Sequence, residues 1–238
     1  MDTITVNIAN VIISINLLFK ENESKFSAFI TNKVPKYHIC ISKKRLKEEL
    51  DLLSEEYPDC IFSNADAEYN ALYRDIPLIL FKEKILIFHG VLIETDGNGI
   101  LFTGESGVGK STHANLWKQC FGNVQIINGD KPLLFFNGKE LIGYGSPWKG
   151  KEGIGINGYT KIKAICILKR GKKNNINQVK YSFASIKWLM AQTMLKTRDN
   201  NKIEIIKWFN KSLSFTPLYE MECNMNVEAA LLSHQTMI

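Results

Sequence analysis

Apolar and polar residues alternate at Thr3–Ile8, Val11–Ile15 and Tyr37–Ile41, and this period of two predicts three strands. A polar loop around Lys20–Lys25 separates them. Residues 44–56 carry a charged helical pattern. A second helix is predicted through Ala65–Asp75, ending ahead of Pro77. The chain then becomes richer in apolar residues. Ile85–Glu94 predicts a strand, Asp96-Gly97-Asn98-Gly99 a tight turn, and Ile100–Thr103 the returning strand. Ala114, Trp117 and Phe121 recur at helical spacing. Val124–Ile127 predicts a strand, and Leu133–Phe136 with Glu140–Tyr144 a hairpin about Asn137-Gly138. Ile162–Leu168 predicts a strand, Phe183–Lys196 and Lys202–Phe209 helices, Phe215–Met221 a last strand and Val227–His234 a last helix. The expected class is α/β, an α+β arrangement on a mixed sheet. Residues 1–80 are expected to form a small α+β lobe of no evident chemistry, and 81–238 a larger domain.

Bulk composition narrows the class. The 238 residues are 45% hydrophobic, enough for a core in each part. No apolar run approaches the ~20 residues that span a bilayer. The segment Met1-Asp2-Thr3-Ile4 has no basic residues ahead of its apolar stretch, unlike a secretory signal. A cytoplasmic protein without membrane partners is expected. Cys40, Cys60, Cys120, Cys166 and Cys223 are odd in number and scattered, which suggests buried thiols rather than disulfides or a zinc site. The net charge of +6 is spread along the chain. Its densest cluster, Lys169, Arg170, Lys172 and Lys173, reads as a solvated turn rather than a nucleic-acid patch.

The chemistry concentrates at 104–111, Gly-Glu-Ser-Gly-Val-Gly-Lys-Ser, a full G-x-x-x-x-G-K-[ST] pattern between a predicted strand and a predicted helix. Glycines let the backbone wrap closely around phosphates, and a helix N-terminus favours anions. Gly104, Glu105, Ser106, Gly107, Val108, Gly109, Lys110, Ser111 and Thr112 are the candidate nucleotide-binding residues. Lys110 would reach the β- and γ-phosphates, and the Ser111 hydroxyl would join a Mg²⁺ shell. Asp130, after the next apolar strand, is the candidate metal carboxylate; an ordinary turn aspartate is the alternative. The segment Gly145–Gly153 holds Lys149 and Lys151 beside a Pro-Trp pair, so it could close over phosphates or be a surface loop. Arg170 could reach a phosphate or a local carboxylate. His113 is expected to be exposed and without a role. His89, inside an apolar run, reads more readily as a hydrogen-bonded core residue than as a catalyst.

The order His89-Gly90-Val91-Leu92-Ile93, a glycine turn at 97–99, then Thr103–Ser111, resembles the catalytic domain of HPr kinase/phosphorylase, which shares its nucleotide-binding core with ATP-type phosphoenolpyruvate carboxykinase. Asn128–Pro132 and Gly145–Glu152 are more similar to the small HPr-kinase-related branch. The resemblance implies a P-loop core, Mg·ATP, and phosphoryl transfer to a serine hydroxyl. It makes His89 an active-site residue and Asp130 the metal-side member of an Asp-Asp pair. The first member of that pair, the family's general base, is Gly129 in this chain. His89, Asp130 or Glu105 would then have to accept the proton.

The leading expectation is an ATP- and Mg²⁺-dependent kinase acting on a serine of a protein or peptide partner. A small-molecule kinase and a nucleotide-binding regulatory module are the alternatives. No [NT]-K-x-D guanine motif and no L-S-G-G-Q signature occurs. The residues leave homo-oligomerisation open.

Overall fold

A computed structural model describes residues 2–194 and 199–238. The chain divides into two compact units, Met1–Lys84 and Ile85–Ile238.

In the first unit, strands β1 (Asp2–Ile8) and β2 (Val11–Leu17) pair antiparallel. The two-residue turn Ala9-Asn10 joins them, both residues at positive φ, as a tight hairpin demands. Strand β3 (Tyr37–Cys40) adds parallel to β2. The stretch expected as a polar loop at 20–25 instead holds a 3₁₀ turn at Lys20–Asn22 and the single-turn helix α1 (Glu23–Phe26). Burial of Asn22 and Phe26 holds these turns down. Helix α2 (Lys43–Glu56) starts at Ser42, whose hydroxyl accepts from the Arg45 N–H. Helix α3 (Asn64–Lys82) starts with a capping box between Ser63 and Asp66. It does not stop at Pro77 but runs through it. Ile76, Pro77 and Leu80 are all buried, and that burial offsets the missing backbone hydrogen bond.

Two buried carboxylates organise this unit. Glu68 accepts from the Leu18 and Phe19 N–H groups and from Asn22 Nδ2. Glu49 is fully buried and lies between the guanidinium groups of Arg45 (2.8 Å) and Arg74 (2.6 Å).

The second unit is built on one sheet, nine-stranded among the described residues. The run expected as one strand at 85–94 is two strands, β4 (Ile85–Ile87) and β5 (Val91–Thr95). The chain breaks at His89-Gly90, where it changes partners: β4 pairs with β8 (Leu133–Phe136), and β5 with β6 (Asn98–Thr103) and β7 (Gln125–Asn128). Strand β9 (Leu141–Tyr144) completes the β8 hairpin. The long strand β10 (Tyr159–Arg170) joins the two halves. Its first residues pair antiparallel with β9, and its later ones lie parallel to β6 and to β12 (Leu218–Cys223). Strand β11 (Asn175–Val179), too polar to stand out in the sequence, edges β12.

Helix α4 (Lys110–Cys120) packs on this sheet with α7 (Val227–Met237). Trp117, Phe102, Ala114, Cys166 and Met221 form the core beneath them. Helices α5 (Phe183–Ala191) and α6 (Asp199–Leu213) complete the unit. Residues 195 and 196, the end of the helix expected from 183, lie outside the described residues. All five cysteines are free, and the expectation of buried thiols holds only in part. Cys166 is buried, Cys120 and Cys223 are half-buried, but Cys40 ends an outer strand and Cys60 lies between helices, both exposed. Among the described residues no helix is long and apolar enough to cross a membrane.

Candidate functional site

The parallel arrangement of β6, β10 and β12 brings three strand ends to one edge of the sheet. Ligands of α/β sheets collect at such carboxyl ends. The 104–109 loop leaves β6 there and turns into α4. Gly104, Gly107 and Gly109 all hold positive φ, and Gly109 is the helix cap at φ 110. A side chain at these positions would be strained, which explains the glycines. Glu105, Ser106 and Gly107 are exposed at the crest, Val108, Gly109 and Ser111 are half-buried, and Thr112 is exposed on the first turn of α4.

Lys110 folds back under the loop. Its Nζ donates to the Gly104 and Glu105 carbonyls at 3.1 and 3.0 Å. Burial holds its ammonium below the ordinary value; Asp130 pulls it back up and Lys131 pushes it down again. The cluster expected to be a solvated turn also reaches the loop, because the Arg170 guanidinium donates to the Gly107 carbonyl.

His89, Asp130 and Lys131 lie within electrostatic reach of Lys110. His89 occupies the break between β4 and β5. Its N–H donates to the Gln192 carbonyl at 2.9 Å, and its own carbonyl accepts from Thr103 Oγ1 at 3.0 Å. Its Nδ1 lies 3.3 Å from Gln192 Oε1, and its Nε2 lies 3.6 Å from Asp130 Oδ1. An amide oxygen only accepts, so Nδ1 carries the proton and Nε2 the lone pair. Burial, then Lys131 and Lys110, lower the imidazole to about 4 against the opposing pull of Asp130 and Gln192. His89 is therefore neutral near pH 7, with a basic nitrogen turned toward the carboxylate.

Asp130 and Lys131 are set by a residue the sequence reading passed over. Asn128 is fully buried at the end of β7. Its Oδ1 accepts from the Asp130 and Lys131 N–H groups at 2.9 and 2.6 Å. Its Nδ2 faces Ser146 Oγ and the Ser146 and Trp148 carbonyls. Ser146 Oγ in turn donates to the Lys131 carbonyl at 2.6 Å. The 128–131 turn and the 145–149 loop are thus one hydrogen-bonded body. Gly150 closes it: a Cβ there would lie 2.7 Å from that of Asp130. Lys131 completes the cluster with its Nζ 2.8 Å from Asp130 Oδ1.

The residues singled out from the sequence divide accordingly. His89, Lys110 and Asp130 share one electrostatic environment. Lys149 is half-buried, its stem beside Gly155, and Lys151 is exposed on the following turn. His113 is buried rather than exposed, because α7 covers that face of α4; it is 2% exposed and contacts Ser233. Lys131, Asn128, Ser146 and Gln192 were missed. Asn128, Lys131 and Ser146 lie in the segments that carry the resemblance, without a role assigned to any of them there, and Gln192 had no sequence signal.

At Gly129, where the resemblance has an aspartate, a Cβ would lie 3.2 Å from the Ile154 carbonyl. The backbone closes over this position. Among the described residues no group of three or more His, Cys, Asp or Glu side chains could by itself hold a metal ion. One carboxylate and one hydroxyl do suit Mg²⁺, which keeps waters and takes phosphate oxygens for the remainder of its shell.

No family profile and no curated protein matches the chain. Among solved structures it is similar to the Hpr(Ser) kinase/phosphatase from Coxiella burnetii, at 14% identity and a TM-score of 0.37, over 63% of this chain and 90% of that one. That likeness is distant and carries no argument about chemistry.

Proposed function

We propose that this chain is an ATP-dependent phosphotransferase that moves the γ-phosphoryl group of Mg·ATP to a hydroxyl, a serine of a protein or peptide. The observation that carries the reading is the opposition of two half-satisfied groups of charge. Lys110 lies beneath a glycine loop at the N-terminus of α4 and within electrostatic reach of the His89–Asp130–Lys131 cluster. Loop N–H groups, the helix dipole and Lys110 suit a triphosphate. Ser111 and Asp130 would hold Mg²⁺, which would supply charge neutralisation for the phosphates. For Asp130 to serve there, Lys131 must leave it, and the phosphoryl oxygens are the anions it would turn to.

The acceptor hydroxyl attacks phosphorus in line, the bond to the ADP oxygen breaks, and the hydroxyl proton passes to His89 Nε2. A value near 4 makes His89 a weak base in the resting protein. The lowering comes partly from Lys131 and Lys110, so a bound triphosphate that neutralises them raises it. Phosphoryl transfer through a loose transition state asks little of a base. On this reading His89 takes the place of the carboxylate absent at 129.

The test is labelling. The protein, Mg²⁺ and γ-labelled ATP are incubated with a dialysed extract of the source cells, with Lys110→Ala as control. A labelled polypeptide that vanishes with the variant supports the reading. Gly129 favours one other reading, a nucleotide-binding regulatory module without turnover. ATP binding with no transfer to any polypeptide or small molecule would put that reading first.

A further inference from the structure

We propose that the Lys131 ammonium is a built-in counter-ion that holds Asp130 in the empty site, crosses to the terminal phosphoryl group of a bound triphosphate, and returns to Asp130 when that group has left. The site thereby tells a nucleoside triphosphate from a diphosphate, and gives up metal once the diphosphate remains. The inference rests on the reading of the 104–111 loop and Asp130 as the Mg·ATP site, and adds how that site is switched.

The contact between the two residues is built by the backbone. Neighbouring residues of an extended chain point to opposite sides, so Asp130 and Lys131 meet only because the chain turns there. Asn128, fully buried, holds that turn by accepting from both of their N–H groups. The Lys131 carbonyl accepts from Ser146 Oγ, and the Pro132 carbonyl from the Phe88 N–H. The main chain is thus fixed on both sides of Lys131. What can travel is its flexible stem, which carries a compact charge with rotatable donors.

The ammonium lies where it competes with any second cation. Lys131 Nζ is 2.8 Å from Asp130 Oδ1, and the lysine side chain is only 14% exposed. Oδ1 is also the oxygen 3.6 Å from His89 Nε2. Oδ2 lies toward Gly150, where a Cβ would come within 3.0 Å of it. The oxygen on the His89 side is therefore the one Lys131 occupies, and a cation drawn to it must displace the lysine.

Charge supplies the reason to move. Lys131 acts on both Lys110 and His89, and Asp130 is the carboxylate that acts on them in return. Two ammonium groups thus share one carboxylate, beside a neutral imidazole. A terminal phosphoryl group carries negative charge enough for both lysines, and a charge-assisted hydrogen bond to it is among the strong ones. When only the diphosphate remains on the loop, that partner has gone, and Lys131 falls back on Asp130.

The experiment reads equilibrium binding rather than turnover. Mg·ATP and Mg·ADP are titrated into the full chain, wild type and Lys131→Met. Mn²⁺, in place of Mg²⁺, is followed in the ADP complexes by its paramagnetic resonance. Lys131→Met should weaken Mg·ATP by about tenfold, the scale of one lost hydrogen bond to a charged group. Mn²⁺ in the ADP complex should be held tighter than in wild type, because no lysine competes for Asp130. Lys131→Gln, neutral but polar at its tip, reads the same prediction where the methionine variant does not fold. An ion pair with a structural role alone weakens both nucleotides alike. That result, an unchanged ratio of ATP to ADP affinity, or Mn²⁺ held no tighter with ADP would overturn the proposal. Failure of Mg·ATP to bind wild type would overturn the loop reading itself, and this proposal with it.

Discussion

Each unit buries charge, and the two do it differently. In the first, Glu49 sits between two guanidinium groups and Glu68 accepts three hydrogen bonds. Those carboxylates face fixed partners within the unit, although Glu49 Oε2 meets Arg45 as an ion pair without a hydrogen bond. In the second, Lys110 rests on two loop carbonyls, Asp130 holds one lysine, and His89 turns a bare nitrogen toward a carboxylate beyond hydrogen-bond reach. Satisfied burial is architecture. Burial left short of partners stores an appetite for a ligand, and it is where perturbed protonation collects.

The comparison breaks most visibly by mutation. Glu49→Ala leaves Arg45 and Arg74 facing an empty site, and should cost about 3–5 kcal/mol of stability, read as a lower denaturant midpoint, while Mg·ATP affinity holds. Lys110→Ala should do the reverse: phosphotransfer falls about 100- to 1,000-fold, the scale of one lost charge-stabilising donor, with little change in melting temperature. Equal loss of stability in both variants would erase the distinction. Asn128→Ala sharpens it, because this residue is fully satisfied yet serves the unsatisfied cluster. Stability should drop by about 1–3 kcal/mol and kcat should fall further than KM rises, since Asp130 and Lys131 lose their register. A purely structural role would leave the kcat of the folded fraction untouched.

The smallest effect is in pH. His89 and His113 both titrate near 4 in the fold, against 6.5 when unperturbed. Between those values the unfolded chain binds more protons, so stability rises with pH across the window and is lost as pH falls from about 6.5 to about 4. Denaturation at pH 4.5 and pH 7 checks the sign. His113→Asn should flatten the slope, because burial of His113 is what lowers it in the fold.

Much of this was legible in the sequence where one physical demand dictates the residue type. The loop declares itself because only glycine fits three positive φ values and only a lysine at 110 reaches back under them. Strands with clean alternation, such as β1 and β2, read directly. What failed were features decided at a distance. Pro77 sits inside α3 because its neighbours are buried. His113 is covered by α7, some 120 residues along the chain. Ile85–Glu94 breaks at His89 because its halves pair with different strands. Asn128 and Ser146 each look like ordinary turn residues, and their joint role exists only once β7 and the 145–149 loop meet.

The most direct test of the central claim is calorimetric titration of Mg·ATP into the wild-type chain and into Lys110→Ala, with melting temperatures of both. The account predicts saturable binding to wild type, loss of binding in the variant, and similar melting temperatures without ligand. No binding to wild type, or undiminished binding to Lys110→Ala, would contradict it.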